Sequence, residues 1–208
     1  MIATKNPRKT LPRIPAKKIP SSLIYEIMDG KPIYYKGYRE VIGQTKTKAE
    51  IMGASTLQNF ILQHILRILF RNLDENKFHI LTNEQGLHVG LKSNFSADIA
   101  IFDAEKLPVK AADRHYATVP PKIQIEVDID ADLENFETID AYIYAKTEKL
   151  LDFGVEKMIW VMSASKKVLV ATKGENWLVI DWNKDIEIIE GISFNIGKYL
   201  KEQESPFA

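Results

Sequence analysis

The 208-residue sequence predicts an α+β domain, and three observations carry that prediction. Two well-separated segments, "STLQNFILQHILRILFRNL" and "ETIDAYIYAKTEKLLDFGV", hold apolar residues at helical spacing. Short runs rich in Val, Ile, Phe and Trp lie between and after them, punctuated by turn residues. Near the N-terminus, Asp29-Gly30 separates two apolar runs, a common hairpin signal. The length suits one domain, expected over 21–200, with a basic arm at 1–20 and a tail at 201–208.

Along the chain, "SSLIYEIMDGKPIYYKGYREVIG" supplies the hairpin. In the first helix Leu57, Ile61, Ile65 and Ile68 form the apolar stripe, and Ser55-Thr56 offers an N-cap. "FHILTNEQGLHVG" and "FSADIAIFD" read as two strands joined by a turn at Lys92-Ser93-Asn94, and 103–119 reads as a charged loop. Pro120-Pro121 then delivers the chain into "KIQIEVDIDAD". In the second helix the stripe is Ile139, Tyr142, Ile143, Leu150 and Phe153, with Gly154 as the stop. "EKMIWVM", "KKVLVAT", "NWLVID" and "IEIIE" follow as short strands.

Composition excludes several classes of function. Lys plus Arg equals Asp plus Glu at 28 each, so overall charge selects no partner. The exception is local: Lys5, Arg8, Lys9, Arg13, Lys17 and Lys18 lie among three prolines with no acid, which suits either a polyanion-binding arm or a solvated terminus. The absence of cysteine removes disulfides, thiolate metal sites and cysteine nucleophiles, and fits a cytoplasmic protein. No apolar run of about 18 residues occurs, so neither a membrane span nor a signal peptide is expected. The four histidines form no His-x-x-x-His pair, and there is no phosphate loop, nucleophile elbow or dinucleotide fingerprint.

Two features point to chemistry. In "IQIEVDIDAD", Glu126, Asp128, Asp130 and Asp132 share one parity, which fits either the wet face of a strand or a set of metal ligands. On the second helix the apolar stripe reaches position 146, which is lysine. Its ammonium must either snorkel to water or meet a carboxylate, because an unpaired buried charge is costly. Asp98 starts a mostly apolar strand 28 residues before Glu126. If the two strands pair, Asp98 and Glu126 converge, with Asp128 beside them, into hard oxygen ligands suited to Mg²⁺ or Mn²⁺.

These residues resemble a known family, the Uma-two branch of the PD-(D/E)XK nucleases. "YEIMDGKPIYY", "STLQNFILQHILRIL", "NEQGLHVGLKSNFSADIAIFD", "PPKIQIEVDID" and "KTEKLLDFGVEKMIWVM" match it in collinear order, over about residues 23–172. The resemblance implies a restriction-endonuclease-like core, with a mixed central sheet flanked by helices. It also implies that Asp98 and Glu126 bind metal, with the Val127 carbonyl as a further ligand, and that Lys146, eight residues before Gly154, completes the catalytic set. Asp128 stands where the superfamily's lysine is usual, and Glu84 matches an acid often seen in the preceding strand. Ala97 replaces the family's proline, Leu150 its usual tyrosine, and "DIDAD" its Ser-Pro-Ser.

The function so implied is Mg²⁺- or Mn²⁺-dependent hydrolysis of phosphodiester bonds in DNA, by a soluble enzyme that could act as a homodimer. Lys146 would orient the water or stabilise charge developing on phosphorus. On this reading Lys146→Ala abolishes nicking and leaves the fold intact. The rival is a catalytically inactive module that uses the same fold to bind DNA or protein.

Overall fold

The computed structural model describes residues 19–208. The expected basic arm therefore lies almost wholly outside the described residues, and at its end Ile19 already packs against the small core of Leu23, Tyr34 and Tyr38.

The predicted hairpin forms as β1 (Ile24–Met28) and β2 (Lys31–Tyr35), antiparallel around Asp29 and Gly30, both in the left-handed region at φ 52° and 75°. A short helix not foreseen in the sequence, α1 (Tyr38–Ile42), follows. Helix α2 (Thr56–Asn72) starts as expected, with the Ser55 hydroxyl accepting the Gln58 N–H. Its inward face is Gln58, Ile61, Ile65 and Leu69.

The strand expected across 78–90 is two strands, β3 (Phe78–Thr82) and β4 (Leu87–Gly90). Asn83 and Glu84, at φ 65° and 55°, turn the chain between them and send the two pieces into different sheets. The expected turn at Lys92-Ser93-Asn94 is likewise displaced. Ser93 and Asn94 belong to β5 (Ser93–Phe95), which is separated from β6 (Ile99–Asp103) by Ser96, Ala97 and Asp98.

The chain continues through β7 (Ile123–Val127), β8 (Ala131–Asp132), α3 (Ile139–Phe153), β9 (Lys157–Met162), β10 (Lys167–Thr172) and β11 (Leu178–Asp181). It closes with the hairpin β12 (Ile186–Ile189) and β13 (Ile192–Phe194) and then α4 (Ile196–Glu202), which runs into the expected tail. Thr138 caps α3 by accepting the Ala141 N–H, and Gly154 ends it at φ 122°. A side chain at Gly154 would meet Pro120 at 2.9 Å, so both backbone conformation and space require glycine there.

Two sheets organise the molecule. The larger has the order β11-β10-β9-β7-β6-β3 and is mixed, because β7 runs parallel to β9 across the α3 crossover while its other neighbour, β6, is antiparallel. The smaller has the order β4-β5-β1-β2-β8. Strand parity divides the core. Ile123, Ile125 and Val127 of β7 join Ile61, Ile65 and Leu69 of α2 on one face of the large sheet. On the other face Ala100, Phe102, Met158 and Trp160 pack with Tyr142, Ile143 and Leu150 of α3 and with the small sheet. All five residues of β7 are buried, so Glu126 does not sit on a solvated face. Ile139, expected in the α3 stripe, is instead 60% exposed, because it begins the helix before that face reaches the core. None of the described helices is long and apolar enough to cross a membrane.

Candidate active site

The site forms where β6 and β7 meet. Pairing of Ile99 with Ile125 sets Asp98 beside the end of β7, where its Oδ2 accepts the Val127 N–H at 2.7 Å. The strand pairing expected from the sequence is therefore present, and it brings Asp98 and Glu126 to one end of neighbouring strands. Asp98 borders a cavity of about 640 Å³ between α2, the first hairpin and the turn after β3.

Glu126 points to the α3 face and is 3% exposed. Its Oε1 meets the Lys146 ammonium at 2.9 Å and accepts a short bond from the Gln124 side-chain amide. Lys146 itself is fully buried, which rules out snorkelling. Its Nζ touches Glu26 Oε1 at 2.7 Å, Glu126 Oε1 at 2.9 Å and the Ser96 carbonyl at 3.1 Å, one acceptor for each of its three N–H donors. Trp160 and Phe95 lie with ring centroids 5.3 and 5.8 Å from the ammonium and complete its cage.

Glu26 is the member that the sequence reading did not single out. Its Oε1 also accepts the Ser96 N–H at 3.1 Å, and its Oε2 accepts the Tyr142 hydroxyl at 2.7 Å. One signal was available: Glu26 shares strand parity with Met28, and both face inward. An acid at an inward strand position implies a cation somewhere opposite, and the lysine on the apolar stripe of α3 is that cation.

Asp128 and Glu84 lie at the cavity rather than around the ammonium, and Val127 is buried at the end of β7. Asp128 leaves the strand with φ 59° and spends its carboxylate on the Ser163 N–H and hydroxyl, at 2.8 and 2.7 Å. The sequence alternation is thus broken at Asp128, which steadies the loop after β9 and lines the cavity with Asp130. Glu84, expected in the strand before Asp98, lies instead in the left-handed turn between β3 and β4, exposed at the cavity mouth. The Val127 carbonyl accepts the buried Gln58 amide at 2.6 Å, which ties the end of β7 to α2.

Burial pushes the Asp98 carboxyl up to about 6, against the opposing pull of the Val127 N–H and the Lys146 charge. Glu126 rises to about 8, again mainly through burial, with Lys146 resisting and Asp98 and Glu26 adding to the rise. For Lys146, burial disfavours the charged form, but Glu126 and Glu26 outweigh it and the ammonium is held above its ordinary value. It is therefore a fixed positive charge and not a base at neutral pH. The cost of building the cluster shows at Gln124, whose Oε1 is buried without a partner because its amide turns toward Glu126.

Among the described residues, no three His, Cys, Asp or Glu side chains assemble into a metal cage. The Asp98 and Glu126 pair nevertheless suits a hard cation that keeps several waters and leans on one or two carboxylates, which is how Mg²⁺ is usually bound.

Neither a protein-family model nor a curated protein sequence matches the chain. Among solved structures it is similar to a candidate nuclease belonging to DUF820, a Uma2-like family, from Anabaena variabilis ATCC 29413. The identity is 12% and the TM-score 0.59, over 85% of this chain and 89% of that one. At that identity the likeness establishes a shared fold.

Proposed function

We propose that the chain is a metal-dependent endonuclease that hydrolyses phosphodiester bonds in DNA, with Asp98 and Glu126 as metal ligands and Lys146 as the fixed charge behind them. The observation that supports this reading is the placement of Asp98 and Glu126 at the adjoining ends of β6 and β7, with Asp98 bordering an open cavity and Glu126 backed by a fully buried ammonium. The structural likeness to a candidate nuclease adds to it. A bound Mg²⁺ or Mn²⁺ would supply charge stabilisation at the phosphoryl oxygens and a more acidic water.

The chain's own residues divide the remaining work. Asp98 is anchored through Oδ2 to the β7 backbone and borders the cavity. Glu126 is oriented by Lys146 and Gln124 through a single oxygen, Oε1. Because each N–H of Lys146 has an acceptor inside the protein, it acts through Glu126 as a positioning residue. The surrounding acids, Glu84, Asp128 and Asp130, make the cavity repel phosphate unless a cation is bound, so cation binding precedes productive DNA binding. Arg67 on the cavity wall and the basic N-terminal segment supply salt-sensitive affinity for the DNA backbone.

The absence of a three-acid cage among the described residues favours the second reading, a module that keeps the fold and binds DNA or protein without cutting. Incubation with plasmid and short DNAs under Mg²⁺, Mn²⁺ and EDTA separates the two. We expect cleavage with either metal and none with EDTA or with Asp98→Asn, which keeps an acceptor for the Val127 N–H. DNA binding without cleavage under every metal condition would establish the binding module.

A further inference from the structure

We infer that Glu26 is a positioning residue for the candidate site: it shares the Lys146 ammonium with Glu126 and thereby keeps Glu126 available to a divalent cation. The inference rests on the metal-dependent reading above, and it concerns a residue from the small sheet that the reading does not use.

The geometry is specific. Glu26 comes from β1, 120 positions before Lys146 and in a different sheet from Glu126, yet its Oε1 makes the shortest contact to the ammonium, 2.7 Å against 2.9 Å for Glu126. Its other oxygen is fixed by the Tyr142 hydroxyl from the same face of α3, and Oε1 is further fixed by the Ser96 N–H. Side-chain exposure is 0% for both Glu26 and Lys146, so no water weakens the pair. A single ammonium therefore faces two carboxylates. Without the Glu26 charge the full field of Lys146 falls on Glu126, and Glu126 becomes a poorer ligand for a second cation.

A structural role would need no charge at position 26, and this separates the two possibilities. Glu26→Gln keeps the shape: the amide oxygen can still accept from Lys146 and the Ser96 N–H, while the amide nitrogen donates to the Tyr142 hydroxyl oxygen. Only the charge is lost. Outer-sphere partners of metal ligands are typically worth about 10- to 100-fold in affinity or activity. Calorimetric titration of the metal-free protein with Mn²⁺ is expected to show Glu26→Gln weakened by that factor. The same substitution in a Lys146→Met background should change the affinity less than twofold, because the effect passes through the ammonium. In cleavage assays at subsaturating metal the loss should fall on the apparent KM for DNA, with kcat little changed, because the cation binds before the DNA.

Equal Mn²⁺ affinity in wild type and Glu26→Gln overturns the role of Glu26 and leaves the nuclease reading standing. No Mn²⁺ binding by the wild type overturns both. If Glu26→Gln does not fold, Tyr142→Phe, which withdraws one hydrogen bond from the Glu26 carboxylate and no charge, takes its place. A loss of Mn²⁺ affinity that disappears in the Lys146→Met background supports the role, and an unchanged affinity overturns it.

Discussion

Replacing Lys146 with methionine tests whether the ammonium holds the core together as well as the site. Methionine fills a similar volume, so the perturbation is electrical: two carboxylates, Glu26 and Glu126, lose their common counter-charge where side-chain exposure is 4% or less. Removing one partner of a buried ion pair typically costs about 3–5 kcal/mol. For a domain of this length that lowers the melting temperature by roughly 6–20 °C, at about 2–4 °C per kcal/mol. The expectation that a Lys146 variant keeps an intact fold, drawn from the sequence alone, is therefore revised by full burial of the side chain.

The cost should also depend on pH, with a sign that can be worked out. Lys146 lowers the Glu126 pKa, so its loss sends that already raised carboxyl further up. A carboxyl whose pKa is raised on folding destabilises most above its folded value, and the penalty fades as pH falls toward its unfolded value. Thermal or urea unfolding of Lys146→Met should accordingly show a larger deficit at pH 8 than at pH 5. The Lys146 titration lies above this range and does not affect the comparison, because the folded ammonium is held above its ordinary value. A melting temperature within 3 °C of wild type at pH 8, or a deficit that grows on acidification, would refute the reasoning.

Other expectations follow from the same geometry. Asp98, raised from 3.8 to about 6, should make wild-type stability fall as pH rises across that interval, by about 3 kcal/mol at 1.36 kcal/mol per unit, and Asp98→Asn should flatten that slope in urea titrations. Gln58→Ala leaves the buried Val127 carbonyl without its donor and should cost about 1–3 kcal/mol by chemical denaturation. Gly154→Ala combines φ 122° with a 2.9 Å approach to Pro120, and should destabilise by at least about 1–3 kcal/mol, read as a lower melting temperature with the secondary-structure signal retained.

The sequence announced the elements with strong local signatures. The Asp29-Gly30 turn, the Ser55 cap and the Gly154 stop each depend on one or two residues, and each lies where expected. The misplaced boundaries had a different origin. Asn83 and Glu84 break a continuous strand pattern by adopting left-handed backbone, which neither residue type requires, and α1 and α4 are too short for apolar periodicity to emerge. At the site, the stripe position of Lys146 and the strand-start position of Asp98 were legible, because burial of a charge departs from a local pattern. The link from Lys146 to Glu26 was not. It spans 120 positions and two sheets, and periodicity describes which way a side chain points but not what it meets.

That link sets an order on biosynthesis. Glu26, Asp98 and Glu126 all leave the ribosome before the cation that reconciles them, because the chain is made from its N-terminus and Lys146 arrives last. A nascent chain ending before α3 carries Glu26, Asp98 and Glu126 without the ammonium that Glu26 and Glu126 share. Arrival of α3 brings Lys146 and Tyr142 together, one turn apart, to Glu26 on the small sheet and Glu126 on the large one. The cluster is thus closed by α3, and no chain that ends before that helix can pair its buried acids with Lys146.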